Sequence, residues 1–292
     1  MVKITIAGGS GPPSDETIPL EVRWRAVNYN DTNDLVEALR GTHTLLSFVQ
    51  LLSDPGQQAQ RNLIDASIIA GVKRFAPSEY GSVGTRHMPW WDGKEEIRKY
   101  LRAVNKDKKV LEYTLFQPGL FLDYLASPYK TSKYVDPLDT VFDFQNRRAI
   151  VVDGHEDAVM TLTAVADLAA AVARAVEHDG QWPEASGIRG NRVTFADVVE
   201  IGEKIRGPFA VEKVKLHDLE AGVLKTPWTL VKKHGAVDEE QYMDFTTAVP
   251  IGVMLSSIEG AWDVSDEFNQ LFPDYEFEKA NAFLSKVWEG KP

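Results

Sequence analysis

The stretch "KITIAGGSGPPSDETIPLEVRW" (Lys3–Trp24) opens one fold and then interrupts it. Its apolar run, Ile4 to Ala7, reads as a first strand that ends in Gly8-Gly9-Ser10-Gly11. Glycines at that point let backbone N–H groups approach a pyrophosphate, and the N-terminus of a following helix favours the anion. Alone, such a turn is weak evidence, because a glycine-rich turn after a strand is often only a turn. Pro12, Pro13 and Pro19 then fall where the helix would run, and proline both removes an N–H and clashes with the preceding turn. Only residues 8–21 precede the next apolar run, and a parallel crossover takes about a dozen residues, usually helical.

Working outward, strand and helix patterns alternate through the first half, which points to a parallel sheet with crossover helices. Val22–Tyr29 reads as a second strand. Asp31 caps a helix through Arg40, His43–Val49 is an apolar strand, and Pro55 opens a helix that runs to Ala70 and stops at Gly71. Val72–Ala76 is a strand, Gly93–Val104 a helix and Val110–Phe116 a strand. Beyond Gln117-Pro118-Gly119 the rhythm changes. Residues 127–146 read as a loop or insertion and Arg148–Gly154 as a strand and turn. Thr161–His178 reads as an amphipathic helix, and Thr194 caps another that Gly207 closes. "FAVEKVKL" alternates as a strand, and helices are expected over 238–255 and 277–288.

The 292-residue chain carries a formal net charge of −11, which argues against nucleic-acid and anionic-membrane partners. It has no cysteine, which excludes disulfides, thiolate catalysis and thiolate metal sites. No stretch approaches the roughly 18 apolar residues of a membrane span, and the first residues lack a signal-peptide layout, so a cytoplasmic protein is expected. The six histidines show no metal-ligand spacing, so no metal is expected.

"GVKRFAPSEYG" (Gly71–Gly81) is the most specific stretch. Together with "HTLLSFV", "GKEEIRKYL", "YTLFQPGLFLDYL" and "AWDVSDEFNQLFPDY", it resembles the NmrA-like and isoflavone-reductase-like branch of the atypical short-chain dehydrogenases, in its fungal form. The resemblance implies an α/β fold: a Rossmann-like, doubly wound parallel sheet over residues 1–125, here abbreviated, and a smaller α+β substrate domain over 126–292 with segments returning to the sheet. It also implies a helix and a strand between Gly11 and Val22 for which this chain has no room.

For function, the resemblance implies an NAD(P)H-dependent reductase of a small, perhaps aromatic, metabolite, with NADPH favoured over NADH and cofactor binding weakened by the short segment. Gly8, Gly9, Ser10 and Gly11 would meet the pyrophosphate. Ser47, Phe48 and Val49 would border the adenosine or ribose, and Pro77, Ser78, Glu79 and Tyr80 the nicotinamide end. Pro118, Gly119, Phe121 and Tyr124 would wall the substrate cleft, with His87, Trp90 and Trp91 as an apolar cover. Lys94 matches the family's proton-transfer lysine. An Asp92 cap with Glu95 would set it in a first helical turn, where the dipole disfavours a cation. A non-catalytic dinucleotide sensor with a protein partner is one alternative, a lyase or isomerase another. The assembly expected is a monomer or homodimer.

Overall fold

In a computed structural model describing residues 2–8, 22–230 and 239–292, the apolar run after Lys3 forms β1 (Ile4–Ala7). α1 (Thr32–Leu39) follows, its Asp31 side chain accepting from the N–H groups of Asn33 and Asp34 as the sequence suggests. Then come β2 (Thr44–Ser47), α2 (Gln58–Ala70), β3 (Arg74–Ala76), α3 (Asp92–Val104) and β4 (Glu112–Tyr113). The four strands pair in the order β1-β2-β3-β4, every pair parallel. β2 and β3 are buried at every position, as strands covered on both faces must be. Their core joins Leu45 and Phe75 to Leu35 and Leu39 of α1, Leu63 and Ile64 of α2, and Ile97 and Leu101 of α3.

The strand expected at Val22–Tyr29 is absent. The segment is irregular to Asn28 and turns at Tyr29–Asn30. A strand exists only where its N–H and C=O groups meet a ladder neighbour, and among the described residues β1 pairs on one side alone. Side chains hold the segment instead. Asn28 N–H donates to Asp34 Oδ2 (2.8 Å), and Asn62 Nδ2 to the Tyr29 carbonyl (2.7 Å). On β1, Ile4 and Ile6 remain exposed, Ile6 at 64%. The abbreviated crossover itself lies outside the described residues.

These elements form one compact unit from the described residues of Met1–Glu79 together with Trp90–Leu115 and Gly180–Glu184. The second unit comprises Tyr80–Pro89, Phe116–Asp179 and the described residues of Ala185–Pro292, so the chain moves between units several times. Its strands begin with β5 (Leu115–Gln117, whose first residue belongs to the first unit), followed by β6 (Leu120–Phe121), β7 (Phe142–Asp143), β8 (Arg148–Val152) and β9 (Val159–Thr163). α4 (Val165–Glu177), β10 (Ala185–Gly187), β11 (Asn191–Thr194), α5 (Phe195–Arg206) and β12 (Ala210–Val214) follow. α6 (Leu216–Glu220), α7 (Glu239–Ile258), α8 (Glu267–Leu271) and α9 (Ala280–Trp288) complete the chain.

Two short mixed sheets, β11-β9-β6 and β12-β8-β7, organise this unit. Thr194 and Asp197 cap α5 reciprocally, as its sequence suggests. The helix expected from Thr161 begins only at Val165, because Val159–Thr163 is claimed by ladders to β11 and β6. No described helix is long and apolar enough to cross a membrane.

Candidate functional site

The carboxyl ends of β1 and β2 lie side by side, with Phe48 N–H donating to the Ala7 carbonyl at 2.7 Å. Gly8 sits there at φ +99°, and a Cβ would come within 2.4 Å of the Phe48 carbonyl carbon. Only glycine fits that approach. Gly9, Ser10 and Gly11 lie outside the described residues. Beside Gly8 opens a cleft of about 460 Å³, lined by Tyr29, Asn30, Val49, Gln50, Asp54 and Gln58 among others. Its volume falls within the range of ligand sites, and the ends of parallel strands are where open α/β sheets bind them.

The Gly8 N–H donates to the Tyr29 hydroxyl (2.9 Å). The Asp54 carboxylate accepts from Ala59 N–H (2.8 Å) and Gln60 N–H (3.2 Å), so it already fills the anion position at the start of α2. Among the described residues no lysine, arginine or histidine lines the cleft.

Gln60, 1% exposed and missed by the sequence reading, ties this region to the end of β3. Its Oε1 accepts from Ser78 N–H (2.9 Å) and from Ser47 Oγ (3.4 Å), while Val49 N–H donates to Ser47 Oγ (3.4 Å). Ser47, Val49 and Ser78 are thereby brought together. Phe48 is exposed.

Past β3, the chain delivers Glu79 to Lys94. Lys94 is 3% exposed, and its Nζ donates to the Glu79 carbonyl and stands 3.7 Å from the centroid of the Trp91 ring. Burial pulls its pKa down to about 8; the Glu79 carboxylate opposes this and Arg98 adds to it. The expected direction therefore holds, but burial is the cause. The capping expectation fails: Asp92 is the first helical residue and Trp91 occupies the N-cap without a side-chain bond. The Glu79 carboxylate is held by Arg98, with Nε on Oε1 (3.0 Å) and Nη2 on Oε2 (2.5 Å). Arg98 was the other missed residue. The signal was present: Lys94, Ile97, Arg98 and Leu101 share the buried stripe of α3 at helical spacing.

Of the remaining candidates, Pro77, buried, with its carbonyl accepting from Glu79 N–H (2.8 Å), and Trp90, half-buried just before α3, lie in the first unit, and the rest in the second. Tyr80 stacks on Phe116 with ring centroids 6.4 Å apart. Phe121 and Tyr124 pack at 5.4 Å. Burial pushes the Tyr124 hydroxyl up to about 12, so it is neutral at ordinary pH. The Pro118 carbonyl accepts from Thr163 Oγ1 (2.7 Å), and Gly119 at φ +74° lets the chain pass close to Thr161. His87 Nε2 lies 3.0 Å from Glu259 Oε1.

A parallel α/β sheet with a glycine-bounded cleft at its strand ends defines a Rossmann-like fold, and solved structures share it. One is a crystal structure of an NADPH-dependent quinone oxidoreductase from Escherichia coli complexed with NADPH. It has a TM-score of 0.61 at 20% identity, over 90% of this chain and 82% of that one. Another is an isoflavone reductase, with a TM-score of 0.61 at 20% identity over 89% and 79%. The sequence profile of the NmrA-like family matches residues 22–249, and the chain belongs to that family. A fungal relative, "Oxidoreductase swnN" of Arthroderma benhamiae, is 24% identical over 325 aligned positions, covering 100% of this chain and 98% of its own. Those positions outnumber the 292 residues here, so the relative carries insertions against this chain.

Proposed function

We propose that this chain is an oxidoreductase that binds a nicotinamide dinucleotide at the strand ends of its first unit and reduces a small metabolite. The observation that carries the reading is Lys94, a buried amine in the first turn of α3 and bonded to the segment that leaves β3. Names of similar proteins support it: a curated fungal relative is called an oxidoreductase and a similar fold binds NADPH. The cleft beside Gly8 fits the adenosine half of such a cofactor in volume and in its place on the sheet.

A bound nicotinamide would supply the hydride. The chain's part is to hold and deliver a proton. In its ammonium form Lys94 would donate from Nζ to the substrate oxygen that gains charge, and a pKa near 8 keeps both protonation states within reach. The Trp91 ring against the Lys94 amine makes aromatic quinones and enones the first substrates to test. Titrating the full-length protein with NADPH and NADH, by quenching of tryptophan fluorescence, tests the reading; absence of binding overturns it. Lys94→Ala should lower turnover at least about tenfold and leave dinucleotide affinity intact.

The three prolines within residues 8–21 favour a second reading, a dinucleotide-responsive regulator without turnover. Any catalysed hydride transfer counts against it.

A further inference from the structure

We propose that Arg98 is a positioning residue for Lys94: by holding the Glu79 carboxylate in a two-bond pair, it leaves the Glu79 carbonyl as the partner of the Lys94 amine. The proposal rests on the reading of Lys94 as the proton-transfer group and concerns how this chain prepares it.

The geometry is closed. Glu79 is 2% exposed and Arg98 5%, so neither charge is screened by water. Both Glu79 oxygens are engaged by the guanidinium, a planar fork that matches a carboxylate as lysine cannot. Lys94 and Arg98 stand one turn apart on α3, yet they divide a single residue between them, with the backbone oxygen to Lys94 and the side chain to Arg98. Without Arg98, the nearest anion to the Lys94 amine would be an unpaired buried carboxylate. That would capture the ammonium as a fixed ion pair and remove it from proton transfer.

Most other charges on and against α3 have partners of their own, and Asp92 stands at the start of the helix. Glu95 meets Arg98 at 3.7 Å and Arg102 at 2.9 Å. From α2, Arg61 reaches Glu96 (3.5 Å), and Asp65 accepts from the Tyr100 hydroxyl (2.7 Å). Among the described residues, Glu79 and Arg98 are therefore the two charges that set the state of Lys94.

The test is an NMR titration of protein labelled with ¹³C,¹⁵N-lysine, the Lys94 signal assigned by its loss in Lys94→Arg. Arg98→Met should raise the pH at which Lys94 titrates by about one unit or more, and Glu79→Gln should lower it. The double variant Glu79→Gln/Arg98→Met removes the anion and the cation together and should return towards wild type. If Arg98→Met fails to fold, the Glu79→Gln and double variants decide alone. Titration unchanged from wild type in Glu79→Gln, or displaced in the same direction by both single variants, overturns the proposal. Because this readout needs no turnover, it is separable from the reading it rests on, which fails if Lys94→Ala retains full turnover.

Discussion

The Lys94 ammonium stands 3.7 Å above the centre of the Trp91 ring, the residue that opens α3. A ring face attracts a cation, so Trp91 works against the burial that depresses the lysine. Trp91→Leu should move Lys94 titration below its value of about 8, by up to about one pH unit. The alkaline limb of a pH–rate profile, where the donating ammonium is lost, or the NMR titration above, reads the shift.

Lys94 also makes stability depend on pH. Its folded pKa is lowered from 10.5 to about 8, so between those values the unfolded chain binds more protons than the folded one. Stability from this residue therefore rises with pH across that window, with a slope of at most about 1.4 kcal/mol per unit. Lys94→Met removes the term. Urea denaturation should show its advantage over wild type to be largest near pH 7 and to shrink by pH 10.

At Gly8 both backbone conformation and space exclude a side chain. Gly8→Ala should destabilise the protein by about 1–3 kcal/mol and weaken dinucleotide binding, because the Cβ would push the ends of β1 and β2 apart. Thermal melts combined with an NADPH titration separate the two effects.

The cleft wall bears on cofactor choice. Among the described residues it carries no cation, and residues 4–22 of the sequence contain no lysine or arginine. The ribose phosphate that distinguishes NADPH from NADH therefore meets no counter-charge there. The ratio of the two dissociation constants should lie within about tenfold, an energy difference under about 1.4 kcal/mol. A preference of a thousandfold would mean that a cation elsewhere in the protein reaches that phosphate.

Gln60 gives a structural prediction. Gln60→Leu keeps the volume but leaves the Ser78 N–H and Ser47 hydroxyl without their shared acceptor, at a cost of about 1–3 kcal/mol. A lower denaturation midpoint and looser dinucleotide binding should appear together.

Much was legible from local pattern. Helical spacing marked α1, α2, α3 and α5, caps marked the starts of α1 and α5, and glycines the ends of α2 and α5, because those signals act within a few residues. Val22–Tyr29 and Thr161 misled for one shared reason. Alternation or helical periodicity describes which face can be buried, whereas a strand forms only where a neighbour completes its ladder.

The sequence by itself determined the family, through "GVKRFAPSEYG" and its companions, and the alternation of strand and helix that makes a parallel sheet. It marked Gly8 and Lys94 as candidate site positions. Tertiary structure alone decided what surrounds them: Gln60 joining Ser47 to Ser78, Trp91 over the amine, and Arg98 on the Glu79 carboxylate. Those relations link residues on separate elements, and an amine's acidity depends on burial and nearby charge that only packing supplies.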